Sequence, residues 1–472
     1  MSTKVPAVSE PAPESGDHTD PIPRSEVPGI LWPAFTGPKD SVTLSILGQL
    51  LVSQNWPPEM LLRRQLRQLT ELVAYAAKTV PFYRDGLASF ARPKRPLTMD
   101  EWQSLPILRR KDIQEHGAEM VTRRPMKEHS AAVDVQTSGS TGEAVTVKRN
   151  AVTGRFFSAL TLRDHLAHRR NLSGKVTYIR RMSGASIEAA KEGKPAPWVE
   201  GFPSGPMYFR DVHEPLDETL DWILSEDPDY VMSYPTYLRA LLRRSAERGV
   251  RPGNLRQVVT FGEVVDPEVR KECSEIWGVT LADVYSTQEV GLIAFQCPEH
   301  EHYLVQAEGI FVEVLDDDGR PCSPSDVGRV VVTPLHNFSM PLIRYEIGDF
   351  AEVGGPCHSR RGLPILNRVL GRSRNMLVTP SGERVWASLT GAGLEPIEPI
   401  RQFQVYQDNP AEIELRLVVT RELSSEEEAQ ARRAMVKATG YEFAVKVVYR
   451  DEIPRSAGGK YEDVVCAIGD PP

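Results

Sequence analysis

Residues 134–150 read "DVQTSGSTGEAVTVKRN", six small polar residues between two runs that alternate as strands do. The insert is Thr137, Ser138, Gly139, Ser140, Thr141 and Gly142. Glycine lets a backbone come close to a ligand, and crowded amides and hydroxyls aim donors at it, which suits a polyphosphate. The same residue types also populate ordinary hairpin turns for their own conformational reasons. A Walker A loop is excluded, because Glu143 and a strand follow Gly142 where Lys, Ser or Thr and a helix are required. The surrounding chain has to decide between phosphate loop and plain turn.

Outward from the loop, "AAVDVQ" and "AVTVKRN" read as its flanking strands, and "EMLLRRQLRQLTELVAYAAKT" upstream has helical spacing. Up to about residue 290, short strands ("KVTYIRR", "DYVMSY", "QVVTFGE", "TLADVYS") alternate with helical segments such as "LDETLDWILSE" and "TYLRALLRRSAERG". That rhythm predicts an α/β sheet with crossover helices. A β-rich stretch follows ("GIFVEVLDDDGRPC", "GRVVVTPL", "LIRYEIGDFAEV"), whose "DDDG" lacks calcium-ligand spacing and reads as a hairpin turn. Beyond "GRSRNMLVTPSGERVW", three strands ("FQVYQ", "EIELRLVV", "EFAVKVVYR") accompany a helix expected to open on a Ser425/Glu428 capping box and to end at Gly440. The expected organisation is a disordered Pro- and acid-rich tail over 1–40 and a large α/β domain over 41–372, with a β-rich subdomain. A small α+β domain over 373–472 completes it.

Composition narrows the function classes. With 25% charged and 40% hydrophobic residues and a net charge of −8, the 472-residue chain has no basic footprint for nucleic acid. No apolar run reaches bilayer length, and "LSILGQLLV" reads as one face of a core helix. The first twenty residues lack the apolar core of a signal peptide. Five scattered cysteines make no disulfide framework. The expectation is a cytoplasmic protein with neither nucleic-acid nor membrane partners.

Five segments in order resemble the motifs of the adenylate-forming superfamily, which includes acyl-CoA synthetases and peptide-synthetase adenylation domains. "TSGSTGEAV" resembles its phosphate loop, "DVYSTQE" (283–289) its adenine segment and "RYEIGDF" (344–350) its ribose segment. "GRSRN" (371–375) resembles its interdomain hinge, and "IPRSAGGKYEDV" (453–464) the loop with its catalytic lysine. Within the superfamily, "VPFYRD", "SLPILRRKDI", "LHNFSMPLIRYEIGD" and "RGLPIL" resemble phenylacetate–CoA ligases, as does Val145 in place of a lysine after the loop.

The resemblance implies a chemistry and a set of roles. A carboxylate attacks the α-phosphate of ATP to give an acyl-adenylate and pyrophosphate, so the site needs donors, fixed positive charge and Mg²⁺. Thr137–Gly142 would cradle the β- and γ-phosphates, Tyr285 would stack along adenine or ribose, and Asp283 would accept from the exocyclic amine. Glu289 would hold Mg²⁺, Asp349 the ribose hydroxyls, and Arg372 the ribose or α-phosphate, while Glu263 and Ser286 belong to the same nucleotide site. Lys460 would bring positive charge from a mobile small domain, whose swing exposes the adenylate to its acceptor. The acceptor expected first is coenzyme A; a carrier-protein thiol, an amine or a cofactor hydroxyl are the alternatives, and a homodimer is left open. The chain departs from the family pattern at Ser286, Gln288, Ile347 and Arg374, which motivates a contrary reading as a degenerate nucleotide-binding protein.

Two further groups stand out. Cys297, His300 and His302 lie in "CPEHEH", and "GPCHS" adds Cys357 and His358. Thiolate plus imidazole suits structural Zn²⁺, and the other reading is a reduced thiol beside surface histidines. Cys273, Cys322 and Cys466 read as ordinary thiols. For the acid pocket, the resemblance points to Trp198, Phe202, Tyr208, Phe209, Tyr234 and Tyr237 with Arg180 and Arg181. That lining suits an aromatic or apolar carboxylic acid, unless these rings are simply core. The arginines would meet a second acidic group on the substrate or pair within the fold.

Overall fold

The structure, a computed structural model, describes residues 25–468 except 31–33, 93, 130–131, 137–144, 183–184, 200–201, 203, 358, 360, 373–375, 388–393, 395–396 and 455–460. Strands β1 (Ala132–Gln136) and β2 (Thr146–Asn150) form the expected antiparallel hairpin, with Val135 opposite Val147. Its alternation buries Val147 and leaves Lys148 and Arg149 towards the rim. Asn150 then caps the helix Ala151–Ala167 by accepting from the Thr153 amide.

A twelve-stranded sheet forms the body. Its first half comprises β3 (Val176–Arg180), β4 (Ala196–Pro197), β5 (Pro206–Asp211), β6 (Tyr230–Ser233), β7 (Gln257–Phe261) and β8 (Thr280–Thr287). In space the order is β4-β5-β3-β6-β7-β8, and β5 to β8 run parallel. The second half is antiparallel: β9 (Gly291–Gln296), β10 (Tyr303–Val305), β11 (Ile310–Leu315), β12 (Val327–Pro334), β13 (Tyr345–Val353) and β14 (Ile365–Arg372). It continues from β8 as β9-β10-β14-β13-β12-β11. The "DDDG" segment turns as expected, Gly319 taking φ +78°.

The parallel strands read Val-Val-Thr-Phe or Tyr-Val-Met-Ser because helices cover both faces. Leu220 and Ile223 of one crossover helix and Leu238, Leu241 and Leu242 of the next pack on Ile179, Val231 and Val258. Leu162 of the helix Ala151–Ala167 packs on the opposite face, with Val176, Met207 and Tyr230.

Towards the C-terminus, β15 (Met376–Val378) pairs with β16 (Arg384–Trp386). β17 (Ile400–Asn409), β18 (Glu412–Val419), β19 (Ala444–Tyr449) and β20 (Val464–Cys466) form a four-stranded sheet beside the helix Ser425–Thr439. This unit has its own core around Val405, Leu415, Leu417, Ala431 and Met435. The capping box sits one residue earlier than the sequence suggested. Ser424 accepts from the Glu427 amide while Glu427 accepts from Ser424. "SSEEE" permits either register, and the earlier one also places Glu427 against Arg421 at 2.8 Å. Among the described residues, no helix is long and apolar enough to cross a membrane.

Candidate active site

The seam between the two halves of the sheet gathers the nucleotide-site candidates. β8 ends at Thr287, a tight turn carries Glu289, and β9 returns antiparallel. Two strands beyond β9 and β10, Asp349 of β13 lies opposite Arg372 of β14. The Tyr285 hydroxyl crosses from β8 to donate to Asp349 Oδ2 at 2.9 Å, and Arg372 Nε lies 3.7 Å from Oδ1. Burial and the facing Asp349 carboxylate push the Tyr285 phenol well above its usual range, so it stays a donor.

Glu289, 7% exposed, faces Arg110 Nη1 at 3.1 Å from the first turn of the helix Arg110–His116. Arg149 of β2 donates to the carbonyls of Thr287 and Gln288. This fastens the hairpin that carries the small-residue loop to the turn that carries Glu289. Desolvation lowers the Arg149 pKa while Glu289 opposes the shift. Tyr285, Glu289, Asp349 and Arg372, scattered over 88 positions of sequence, thus share one site; 285 and 372 are its ends. Thr137–Gly142 and Lys460 lie outside the described residues, as does the hinge residue Arg374.

Two candidates sit elsewhere. Glu263, after β7, accepts from the Thr236 amide and hydroxyl at 3.1 and 2.7 Å through Oε2. Its Oε1 accepts from the backbone N–H of Tyr461 at 2.9 Å, so the residue after Lys460 docks on the large sheet. Asp283 is in the core, where Oδ1 accepts from Thr260 at 2.6 Å and Oδ2 from Tyr303 at 2.7 Å. Desolvation raises its pKa to about 6. Ser286 is half-buried at a register shift in β8, where a bulge re-aims the strand end.

Arg110 and Arg149 were not singled out from sequence. Both lie in quoted stretches, "SLPILRRKDI" and "AVTVKRN", and the signal was a cation flanking each motif. Three acid-pocket candidates prove to be core. Trp198 donates to the Gly174 carbonyl at 3.1 Å, Phe202 packs in the same cluster, and Tyr237 donates to Thr219 at 3.1 Å beneath a crossover helix. Arg181 is exposed and Tyr208 faces Lys175. Phe209 and Arg180 lie towards the carboxyl ends of β5 and β3, and Tyr234, which directly follows β6, is itself buried in the cluster with Tyr237 and Leu238. A cavity of about 700 Å³ lies away from all of these, between Arg64, Arg67 and Glu308.

At the far end of β9 from Glu289, the ligand atoms of Cys297, His300, His302 and Cys357 all lie within 4.8 Å of one another. His302 Nε2 is 3.2 Å from Cys357 Sγ, and His300 Nδ1 is 3.5 Å from Cys297 Sγ. Two thiols and two imidazoles so placed match a tetrahedral zinc donor set, and Ser359 Oγ lies 2.8 Å from Cys357 Sγ. The six residues of β9 separate this cluster from Glu289 by about 20 Å.

Known proteins repeat this architecture. In 2-hydroxyisobutyryl-CoA ligase, in the postadenylation state with an acyl-AMP bound, the TM-score is 0.69 at 18% identity, covering 85% of this chain and 88% of that one. The chain has the fold of the adenylate-forming superfamily. The phenylacetate–coenzyme A ligase of Thermus thermophilus is 26% identical over 451 residues, 87% of this chain and 97% of that protein, which bears out the resemblance carried by the five motifs. Residues 377–466 match the model of the CapK C-terminal domain. Against the same 2-hydroxyisobutyryl-CoA ligase in its thioesterification state the TM-score falls to 0.54.

Proposed function

We propose that the chain is an acid–CoA ligase: it activates a carboxylic acid with ATP to an acyl-adenylate, releasing pyrophosphate, and passes the acyl group to coenzyme A. The observation that carries this is the convergence of Tyr285, Glu289, Asp349 and Arg372 on one seam, beside the hairpin of the small-residue loop. Asp349 and its Tyr285 partner hold a ribose-type diol through hydrogen bonds to a carboxylate. Glu289 would supply the hard oxygen that a Mg²⁺ ion accompanying ATP requires, and Arg110 is its counter-charge. In this reading Arg372 and Lys460 would supply cations to the negative charge that gathers on the α-phosphate.

The backbone contact of Tyr461 with Glu263 supports a role for the small unit in delivering Lys460, and a swing of that unit would open the adenylate to a thiol. The organisation into a large unit over 41–372 and a mobile lid over 373–472 is part of this reading. So is an aromatic or apolar acid, motivated by Phe209, Tyr234 and Phe261 at the strand ends. Cys297, His300, His302 and Cys357 would hold a structural Zn²⁺ that ties the β9–β10 turn to the β13–β14 loop.

Carboxylate-dependent ATP–pyrophosphate exchange tests the first half-reaction, and its absence with every acid would reject the proposal. CoA consumption tests the second; exchange without it would shift the acceptor to a carrier-protein thiol, an amine or a hydroxyl.

A further inference from the structure

The parallel half of the sheet has one topological switch. The chain passes from β3 outward to β5, then returns across β3 to place β6 on its other side. Connections therefore leave the ends of β3 and β6 in opposite directions, which opens a crevice at their carboxyl ends, where open α/β sheets bind ligands. β3 ends on Arg180, and β6 ends at Ser233 with Tyr234 next in the chain.

The environment of Arg180 is unusual for a cation. Its guanidinium lies over two rings, 5.5 Å from the centroid of Tyr178 and 5.4 Å from that of Phe209. Phe261 packs edge-on to Tyr178 at 5.1 Å and against Tyr234 at 5.0 Å, which extends the aromatic wall towards β7. Among the described residues, Arg180 Nε is buried without a hydrogen-bond partner. Its neighbour across the β3–β5 ladder is Asp211. That carboxylate is already committed: Oδ2 accepts from the Met182 amide at 2.6 Å, and Oδ1 from the amide and ring of His213 at 2.8 and 2.7 Å. Other half-buried arginines of this half do pair, as Arg210 does with Glu214 at 2.7 Å and Arg239 with Glu272 at 3.1 Å.

A planar guanidinium held by aromatic faces keeps its N–H edge for an acceptor, and that fork matches a carboxylate. Leaving a buried N–H of this group without an acceptor is unfavourable unless a ligand completes it. We propose that Arg180 selects, as acyl substrate, a carboxylic acid bearing a second carboxylate, with the carbon skeleton against the wall of Tyr178, Phe209 and Phe261. This rests on the acid-activation reading above and names the substrate class of that site. The distal carboxylate would sit on Arg180 while the other reaches the α-phosphate.

The test is ATP–pyrophosphate exchange by the full chain with matched acids: phenylacetate against 4-carboxyphenylacetate, and benzoate against terephthalate. In the wild type, kcat/KM for the diacid of at least one pair should exceed that for its monoacid by about 10- to 100-fold. Arg180→Met should collapse that ratio towards one, and Arg180→Lys, which keeps the charge but not the fork, should restore part of it. Thermal melting of both variants separates a folding defect from a change in selectivity, since misfolding would lower both acids alike and leave the ratio standing. Monoacids favoured or equal in the wild type, or a ratio indifferent to Arg180→Met, would overturn the assignment while acid activation survives. No exchange with any acid would overturn both.

Discussion

The two halves of the large sheet each bury a carboxylate, and they do so differently. In the antiparallel half, Glu313 lies against the Arg344 guanidinium at 2.9 and 3.1 Å, with the Trp102 indole donating at 3.0 Å. In the parallel half, Asp283 is held by hydroxyls, those of Thr260 and Tyr303. Burial raises both, and at Glu313 the guanidinium opposes the rise, whereas at Asp283 the pKa reaches about 6. The difference follows from architecture. Asp283 meets hydroxyls from β7 and β10, while Arg180 stands at the carboxyl edge of β3. Antiparallel strands receive cations from turns and from loops packed beside them, so ion pairs run through their interior. The reaction groups occupy the seam, where both kinds of partner are in reach.

Cutting the charged partner out of the antiparallel half should have the largest effect. Glu313→Ala leaves Arg344 buried without its carboxylate and should cost about 3–5 kcal/mol, read as a lower denaturant midpoint. A loss under 1 kcal/mol would erase the contrast. At the seam, Lys460→Ala should slow acid-dependent ATP–pyrophosphate exchange about 10²- to 10³-fold while sparing acyl transfer from a supplied acyl-adenylate. Equal impairment of both half-reactions in a folded variant would remove the lysine from its role. At the outer end of β9, untagged protein should carry zinc by elemental analysis, and Cys357→Ser should lose the metal and about 2 kcal/mol of stability. Its exchange activity, measured well below the melting temperature, should persist.

The smallest effect probes the hydroxyl-bound carboxylate. The folded pKa of Asp283 lies above its unfolded value of 3.8, so the fold favours the protonated form. That contribution is full below about pH 4 and is lost as pH rises through about 6. The stability of the wild type relative to Asp283→Asn should therefore grow by about 1–2 kcal/mol between pH 7 and pH 4. A margin that shrinks on acidification would show that Asp283 is held as an ion after all.

Much of the architecture was legible from local patterns. Alternation around the loop gave the β1–β2 hairpin, and short strands spaced by amphipathic segments gave the crossovers, because both periodicities are set by neighbouring residues. The candidates Tyr285, Glu289, Asp349 and Arg372 were legible only through motif likeness; nothing local says that a phenol meets a carboxylate 64 positions away. Arg110 was passed over because its partner lies 179 residues further on. Trp198, Phe202 and Tyr237 went the other way: aromatic composition alone does not tell a cleft wall from a core. The capping box slipped by one residue because two serines and three glutamates satisfy the same local rule twice, and Arg421 broke the tie.

By itself, then, the chain's order of residues determined element types, the turn chemistry and the inventory of chemical groups, all of which depend on short-range sterics and periodicity. Tertiary packing decided which groups meet: Cys297 with Cys357, Glu263 with the backbone beside Lys460, and Arg180 with two rings. Contact across a sheet depends on strand order and register, and those are properties of the whole core.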